Sequence, residues 1–215
     1  MNLKTAPIIA LALAASAALA ADIKLPEPSR AGGKPLGDAL AARQTRRDFS
    51  PAPLTDQELS DLLWAANGFN RPDLKKRTAP TAVNRQEIDI YVCRADGAYL
   101  WDSEANVLKQ VSDKDLRGLT GRMGSPQNFA LVAPVALVYV VDFERQGMQQ
   151  RPQDAFKYAC VDCGFIGQNV YLHAASTDLA TVFLGMINPK GLSEGLGLSE
   201  KRVPLFAQTV GKPAK

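Results

Sequence analysis

Apolar and polar side chains alternate along residues 87–93. Ile88, Ile90 and Val92 fall on one face and Asp89, Tyr91 and Cys93 on the other, which predicts a strand. Ala95-Asp96-Gly97-Ala98 supplies a hairpin turn, Tyr99-Leu100-Trp101 a return strand, and Val107–Val111 a continuation of the meander. Ala133–Asp142 is instead a continuous apolar run, as expected of a central strand buried on both faces. Thr181–Ile187 and Val203–Val210 predict the last strands. Helical spacing appears in Leu36–Arg46, through Leu36, Ala39, Leu40 and Ala42. Thr55-Asp56-Gln57-Glu58 has the form of a capping box ahead of Leu59, Leu62, Leu63 and Ala66, and Gly68 stops that helix. Asp113–Gly121 and Leu192–Leu198 predict short helices, and Gln153–Thr177 a long one that should form a buried spine. Gly68–Pro80 reads as a polar loop. Strands and helices without a regular βαβ alternation place the chain in the α+β class.

The N-terminus changes the picture. Lys4 precedes an apolar run from Ile8 to Leu19 that only Ser16 interrupts, and Ala18-Leu19-Ala20 is a small-x-small cleavage site. Residues 1–20 therefore read as a secretory signal, which implies a periplasmic or secreted protein. The run is shorter than the roughly 20 residues a bilayer span needs, so no stable membrane anchor is expected. Residues 21–35, with Pro26, Pro28, Gly32, Gly33 and Pro35, read as an extended arm, and 36–215 as one domain. The net charge of +3 loses one unit with Lys4, a balance too mild to argue for nucleic acid. Cys160-Val161-Asp162-Cys163 is open to two readings, a redox pair or two small core residues. With His173 the only histidine and no second cysteine pair, no metal site is expected.

Two segments carry the candidate chemistry. Arg43-Gln44-Thr45-Arg46-Arg47 offers three guanidiniums and a hydroxyl, a set that matches phosphate oxygens in bidentate geometry. Pro80-Thr81-Ala82-Val83-Asn84-Arg85-Gln86 offers a hydroxyl and two amides on a chain stiffened by proline, and can hydrogen-bond the edge of a flat heterocycle. Taken singly, the first also fits a solvated helix face and the second a turn before a strand. Taken together they point to a mononucleotide-like cofactor.

The order of these segments resembles the nitroreductase family of flavin enzymes. Arg43, Thr45 and Arg47 match its Arg-x-Ser/Thr-x-Arg/Lys element, and Pro80, Thr81, Asn84 and Gln86 its Pro-Ser-x-x-Asn-x-Gln element, with Thr81 keeping the hydroxyl. Asp162–Leu172 resembles its long central helix and Gly211-Lys212-Pro213 its last-strand ending. The resemblance implies a mostly antiparallel sheet flanked by helices, in an intertwined homodimer that binds FMN at the interface. It further implies that Arg43, Thr45 and Arg47 hold the phosphate, with Lys212 as a further cation. Pro80, Thr81, Ala82, Asn84 and Gln86 would contact the flavin, and Gly185 would offer a backbone amide to the ring. Leu184 stands where many relatives have Glu. No residue is singled out as catalytic, because a flavin carries the redox step itself.

The implied activity is ping-pong oxidoreduction of a small organic substrate, of the nitroaromatic or quinone class. Export separates such a protein from nicotinamide pools, so the donor is expected to differ from NAD(P)H, or the flavin to oxidise its substrate directly. Leu62–Gly68 and Tyr99–Asp102 resemble a subgroup near the azoline-forming dehydrogenases, which makes oxidation of a heterocycle or thiol the alternative chemistry. A flavin binder without turnover and a cofactor-free interaction module are further alternatives.

Overall fold

The computed structural model describes residues 22–121 and 129–214; the expected signal at 1–20 lies outside them. Nine strands and six helices follow in chain order among the described residues: β1 (Ile23–Lys24), α1 (Leu36–Ala42), α2 (Asp56–Asn67), β2 (Phe69–Arg71), β3 (Lys76–Arg77), β4 (Ile88–Arg94), β5 (Gly97–Asp102), β6 (Val107–Ser112), α3 (Phe129–Val132), β7 (Val135–Asp142), α4 (Phe143–Gln146), α5 (Pro152–Ser176), β8 (Ala180–Leu184), α6 (Pro189–Gly195) and β9 (Arg202–Gly211). Seven strands form one sheet in the order β1-β6-β5-β4-β7-β9-β8, and every pairing in it is antiparallel. The α+β class and the mostly antiparallel sheet expected from the sequence are both found.

The unbroken apolar run sits at the centre because the sheet is covered on both sides. On one face Leu137, Tyr139 and Val141 of β7 join Ile88, Ile90 and Val92 of β4 against Leu59, Leu62 and Leu63 of α2 and Ile166 and Val170 of α5. On the other, Ala136, Val138 and Val140 join Tyr91 and Cys93 against Leu116, Leu192 and Leu196. A strand between two apolar layers has no solvent face to alternate with. The helix α2 starts where its capping box does: Thr55 Oγ1 accepts from Glu58 N–H at 3.1 Å, and Glu58 Oε2 accepts from Thr55 N–H at 2.7 Å.

Several expectations need correction. The polar stretch 68–80 is not a plain loop but a small antiparallel sheet of β2 and β3, and Phe69 pairs with Arg77. The expected helix at 113–121 shrinks to a 3-10 turn at Arg117–Leu119. There Arg117 is held by Asp115 at 2.7 Å and donates to the Ala133 carbonyl at 2.9 Å. Helix α1 ends at Ala42, short of the arginine cluster, and α6 begins at Pro189 and ends at Gly195. The extended arm at 22–35 keeps that form and lies against the domain: β1 pairs with the edge strand β6, Leu25 is buried, and the Pro26 carbonyl accepts from Ser60 and Asn106. Finally, α5 is a spine on one side only. Phe156, Tyr158, Val161 and Phe165 remain 40–53% exposed.

Candidate functional site

Residues 43–48 run irregularly along the outer edge of β8, where Arg46 N–H donates to the Thr181 carbonyl at 3.0 Å. The three guanidiniums do not stay together. Arg46 folds back on Asp48 (2.6 Å) and is neutralised there. Arg43 and Arg47 face no carboxylate among the described residues, and Arg43 lies 5.4 Å from the centre of the Tyr171 ring. Tyr171 organises this corner. Its hydroxyl accepts from Phe183 N–H at 3.0 Å and meets Thr45 Oγ1 at 3.0 Å. When the phenol donates to Thr45, the threonine O–H is left free to donate outward. Gly185 follows β8 on the same side, exposed, with Phe206 no closer than 3.8 Å to an added Cβ. Lys212 lies at the other end of β8, next to Gly211, which pairs with Ala180, and its carbonyl accepts from Ser50 N–H at 2.9 Å. Its ammonium, however, pairs with Glu58 at 3.3 Å.

The second segment sits elsewhere. Pro80 is exposed, and Ala82–Asn84 forms a single 3-10 turn. Val83, Asn84 and Gln86 have φ of 55°, 56° and 52°. Three non-glycine residues in the left-handed region within four positions, one of them β-branched, mark a segment held in strain by its surroundings. The holding contacts are visible. Gln86 N–H donates to Thr81 Oγ1 at 3.1 Å, and the Gln86 amide donates to the Lys75 carbonyl (2.7 Å) and to Asn84 Oδ1 (3.1 Å). Arg77 donates to Gln86 Oε1 at 2.7 Å while it stacks on Phe69, 4.1 Å from the ring centre. Burial, with Arg145 nearby, pulls the Arg77 guanidinium down to about 10, still charged at neutral pH. The Gln86 side chain is thus spent on the loop itself. Asn84 is exposed and keeps its Nδ2 donors for an outside acceptor.

Beneath the loop, Ala82 N–H donates to Asp162 Oδ2 of α5 at 3.3 Å. Asp162 is 2% exposed and lies against Glu87, which is fully buried. Burial first, and the neighbouring Glu87 second, push the Asp162 carboxyl up to about 7. Asp162 and Tyr171 lie in the stretch that resembles the family's central helix, but the resemblance gives them no role in the site, and Glu87 and Arg77 lie outside the motifs. Glu87 follows the motif directly, but no periodicity marks the other three as neighbours of it.

The structure therefore places Arg43, Thr45, Arg47 and Gly185 along the outer edge of β8, Lys212 beside the start of that strand, and Pro80, Thr81, Ala82, Asn84 and Gln86 at a separate corner. Tyr171 anchors the set on the β8 edge and Asp162 the set at the separate corner, nine residues apart on α5. That is about 13 Å of helix rise and half a turn, so the two sets lie on opposite sides of α5. Cys160 and Cys163 are both free thiols, pushed up by burial, and Cys163 is fully enclosed. Burial lowers His173, which favours its neutral form in the helix.

The model of the Nitroreductase family matches residues 40–212. The chain belongs to this family. It is 30% identical over 183 residues to a protein of Methanocaldococcus jannaschii named as a candidate nitroreductase, covering 82% of this chain and 90% of that one. Among solved structures, a candidate nitroreductase of Ralstonia eutropha JMP134 superposes with a TM-score of 0.82 at 35% identity, covering 90% of both chains. The fold is shared with the NADPH:FMN oxidoreductase of Vibrio harveyi (TM-score 0.60, 22% identity, 84% of this chain and 69% of that one).

In this nitroreductase-family chain, α5 touches β8 so closely that Gly167 has no room for a side chain. A Cβ there would lie 2.6 Å from the Phe183 ring, itself packed between Tyr139 and Phe206. Gly167→Ala should cost about 1–3 kcal/mol by overpacking. Because Phe183 N–H holds Tyr171, it should also disturb Thr45 and Arg43. Chemical denaturation of both proteins checks this; an unchanged midpoint would mean the ring moves away freely.

Proposed function

We propose that this chain is an FMN-dependent oxidoreductase that works as a homodimer on a small organic substrate of the nitroaromatic or quinone class. The observation that carries this reading is the pair of guanidiniums, Arg43 and Arg47, left without a carboxylate among the described residues beside a Thr45 hydroxyl held by Tyr171, in a chain of this family. An array of unneutralised forks and a hydroxyl fits the dianionic phosphate of a mononucleotide. The strained loop on the other side fits the ring: Asn84 presents its donors outward, and Thr81, Ala82 and Pro80 frame it. Gly185 lets a flat ligand approach the backbone. When bound, FMN supplies the two-electron redox chemistry of a ping-pong cycle. The residues of the chain bind and orient it, and Gln86, clamped by Arg77, keeps the loop in shape.

The half-turn between the two sets on α5 supports the dimer. One chain cannot offer both sets to one small ligand, whereas the phosphate corner of one copy can meet the loop of another. The exposed apolar stripe of Tyr158, Val161 and Phe165 on α5, with open space above Gly164, gives a second copy a helix face to pack on. The apolar run and cleavage pattern at 1–20 support export, with an electron donor other than NAD(P)H. No helix among the described residues is long and apolar enough to cross a membrane.

The test is the visible absorption of the purified protein after FMN is added and the excess removed. A retained flavin band at one FMN per chain is expected, followed by bleaching under a suitable reductant. A colourless protein that is folded and dimeric would overturn the cofactor assignment. A retained band that no donor bleaches would leave a flavin binder without turnover.

A further inference from the structure

The base of the Thr81–Gln86 loop contains more carboxylate than it has partners for. Glu87 is fully buried. Its Oε1 accepts from Gln146 Nε2 at 3.3 Å, and its Oε2 finds no donor. What lies beside it is the carboxyl of Asp162, which has already taken the Ala82 N–H on Oδ2. Two buried carboxyl groups in contact cannot both stay ionised, and a single proton between them meets the missing donor.

No cation among the described residues is hydrogen-bonded to either carboxyl, although Arg77 bonds Gln86 of the same loop. From α5, Cys163 faces the pair as a neutral thiol. From α4, the uncharged Gln146 donates, and it is anchored to the Ala155 carbonyl at 2.7 Å. Arg145 turns to Asp89 at 2.7 Å, and Arg85 reaches across Gly147. Among the described residues, Arg77 holds the loop at Gln86 and the carboxyl pair holds it at Ala82, in a loop in which Val83, Asn84 and Gln86 are all left-handed.

We propose that Glu87 and Asp162 share one proton and act as a positioning latch, which holds the Ala82 amide and with it the Thr81–Gln86 loop in the shape that takes up ligand. The latch rests on the flavin reading only for the identity of that ligand. Opening the loop exposes Asp162 to water and lowers its proton affinity, so the closed loop is the state that keeps the proton. Asp162 sits near 7 in the closed state, against an ordinary value of 3.8. The sign follows from linkage. Closure is favoured at low pH, weakens by up to about tenfold per unit as pH rises through that interval, and levels off above pH 7.

FMN dissociation constants of the full-length wild type, Asp162→Asn and Glu87→Gln, measured from pH 5 to 8.5, test this. Amide exchange of residues 81–87 without ligand, corrected for intrinsic rates, is followed alongside. Asn at 162 can accept from Ala82 and donate to Glu87, and Gln at 87 can donate to Asp162, so each mimics the shared-proton state and should fold. In wild type, affinity should fall and loop exchange rise up to pH 7 and then level. In Asp162→Asn exchange should be flat and FMN affinity should follow only the ligand's own phosphate ionisation, whereas in Glu87→Gln the step should shrink and move to lower pH, because burial still acts on Asp162. Asp162→Ala, which leaves Ala82 N–H without its acceptor, should bind more weakly than Asp162→Asn at every pH. Identical profiles in wild type and both conservative variants would overturn the latch, as would equal binding by the Ala and Asn variants. If FMN does not bind at any pH but the exchange step appears and Asp162→Asn abolishes it, the latch stands and the flavin reading falls.

Discussion

Arg43→Ala should weaken FMN binding by roughly tenfold to a hundredfold, the range expected when one charge-assisted hydrogen bond to an anion is removed. Arg43 is the better placed of the two free arginines. It is half-buried and lies against Tyr171, so its fork is already oriented, whereas Arg47 is exposed and must be ordered on binding. Arg47→Ala should therefore cost less. Arg43→Lys keeps the charge but loses the planar fork, and should fall between wild type and alanine. Lys190→Ala, on the exposed face of α6, should leave affinity unchanged. Quenching of flavin fluorescence on titration gives each dissociation constant. Equal affinity in wild type and Arg43→Ala would remove the phosphate assignment, and Arg46, already matched to Asp48, offers no substitute.

That prediction depends on a distinction the sequence could not make. Three arginines within five residues are chemically alike, and only the fold shows that Arg46 is neutralised locally while Arg43 and Arg47 are not. Lys212 is the converse case: it lies at the far end of β8 from Gly185, and its ammonium meets Glu58, a partner fixed by the capping box of a different helix. The motif residues were legible as chemistry because phosphate and amide recognition need particular side chains. Their division between two sides of α5 was not, because it follows from the docking of two separate loops at Tyr171 and Asp162.

The fold follows the same rule. Where a local signal coincides with burial, the sequence suffices: the capping box starts α2, alternation marks β4, and the run from Val135 to Val141 lies between two apolar layers. Where an element depends on distant partners, it fails. The sheet of β2 and β3 closes because Arg77 can bond Asn67, Ser103 and Gln86 at once, none of which is visible in the polar stretch 68–80. Helix α5 is expected from its sequence to be a buried spine, yet one side of it is exposed. Hydrophobicity alone does not say which side meets this chain's core and which is left for another surface.

Leu137→Ala should be the most destabilising of these substitutions, by about 2–5 kcal/mol, since it empties a fully buried site in the central strand. Leu137 pairs with Val92 on one side and Gln208 on the other. Gln208 accepts from Tyr139 Oη at 2.8 Å and donates to the Gly167 carbonyl and to Thr181 Oγ1, so β7, β9, β8 and α5 meet around this position. No collapse of one neighbour can refill the cavity without disturbing that network. In chemical denaturation the midpoint should drop while the slope is kept. Leu131→Ala, on a side chain 45% exposed, should stay within about 0.5 kcal/mol. Ligand separates a stability effect from a site effect. FMN at many times its dissociation constant should raise the melting temperature of wild type and Leu137→Ala alike, because each folded form binds it. In Arg43→Ala the same concentration should raise it much less, although the protein without ligand melts near wild type. If Leu137→Ala also loses the FMN-induced rise, the core around Gln208 sets the geometry of the Thr45 and Arg43 corner directly, through Thr181 and the β8 edge on which that corner is built.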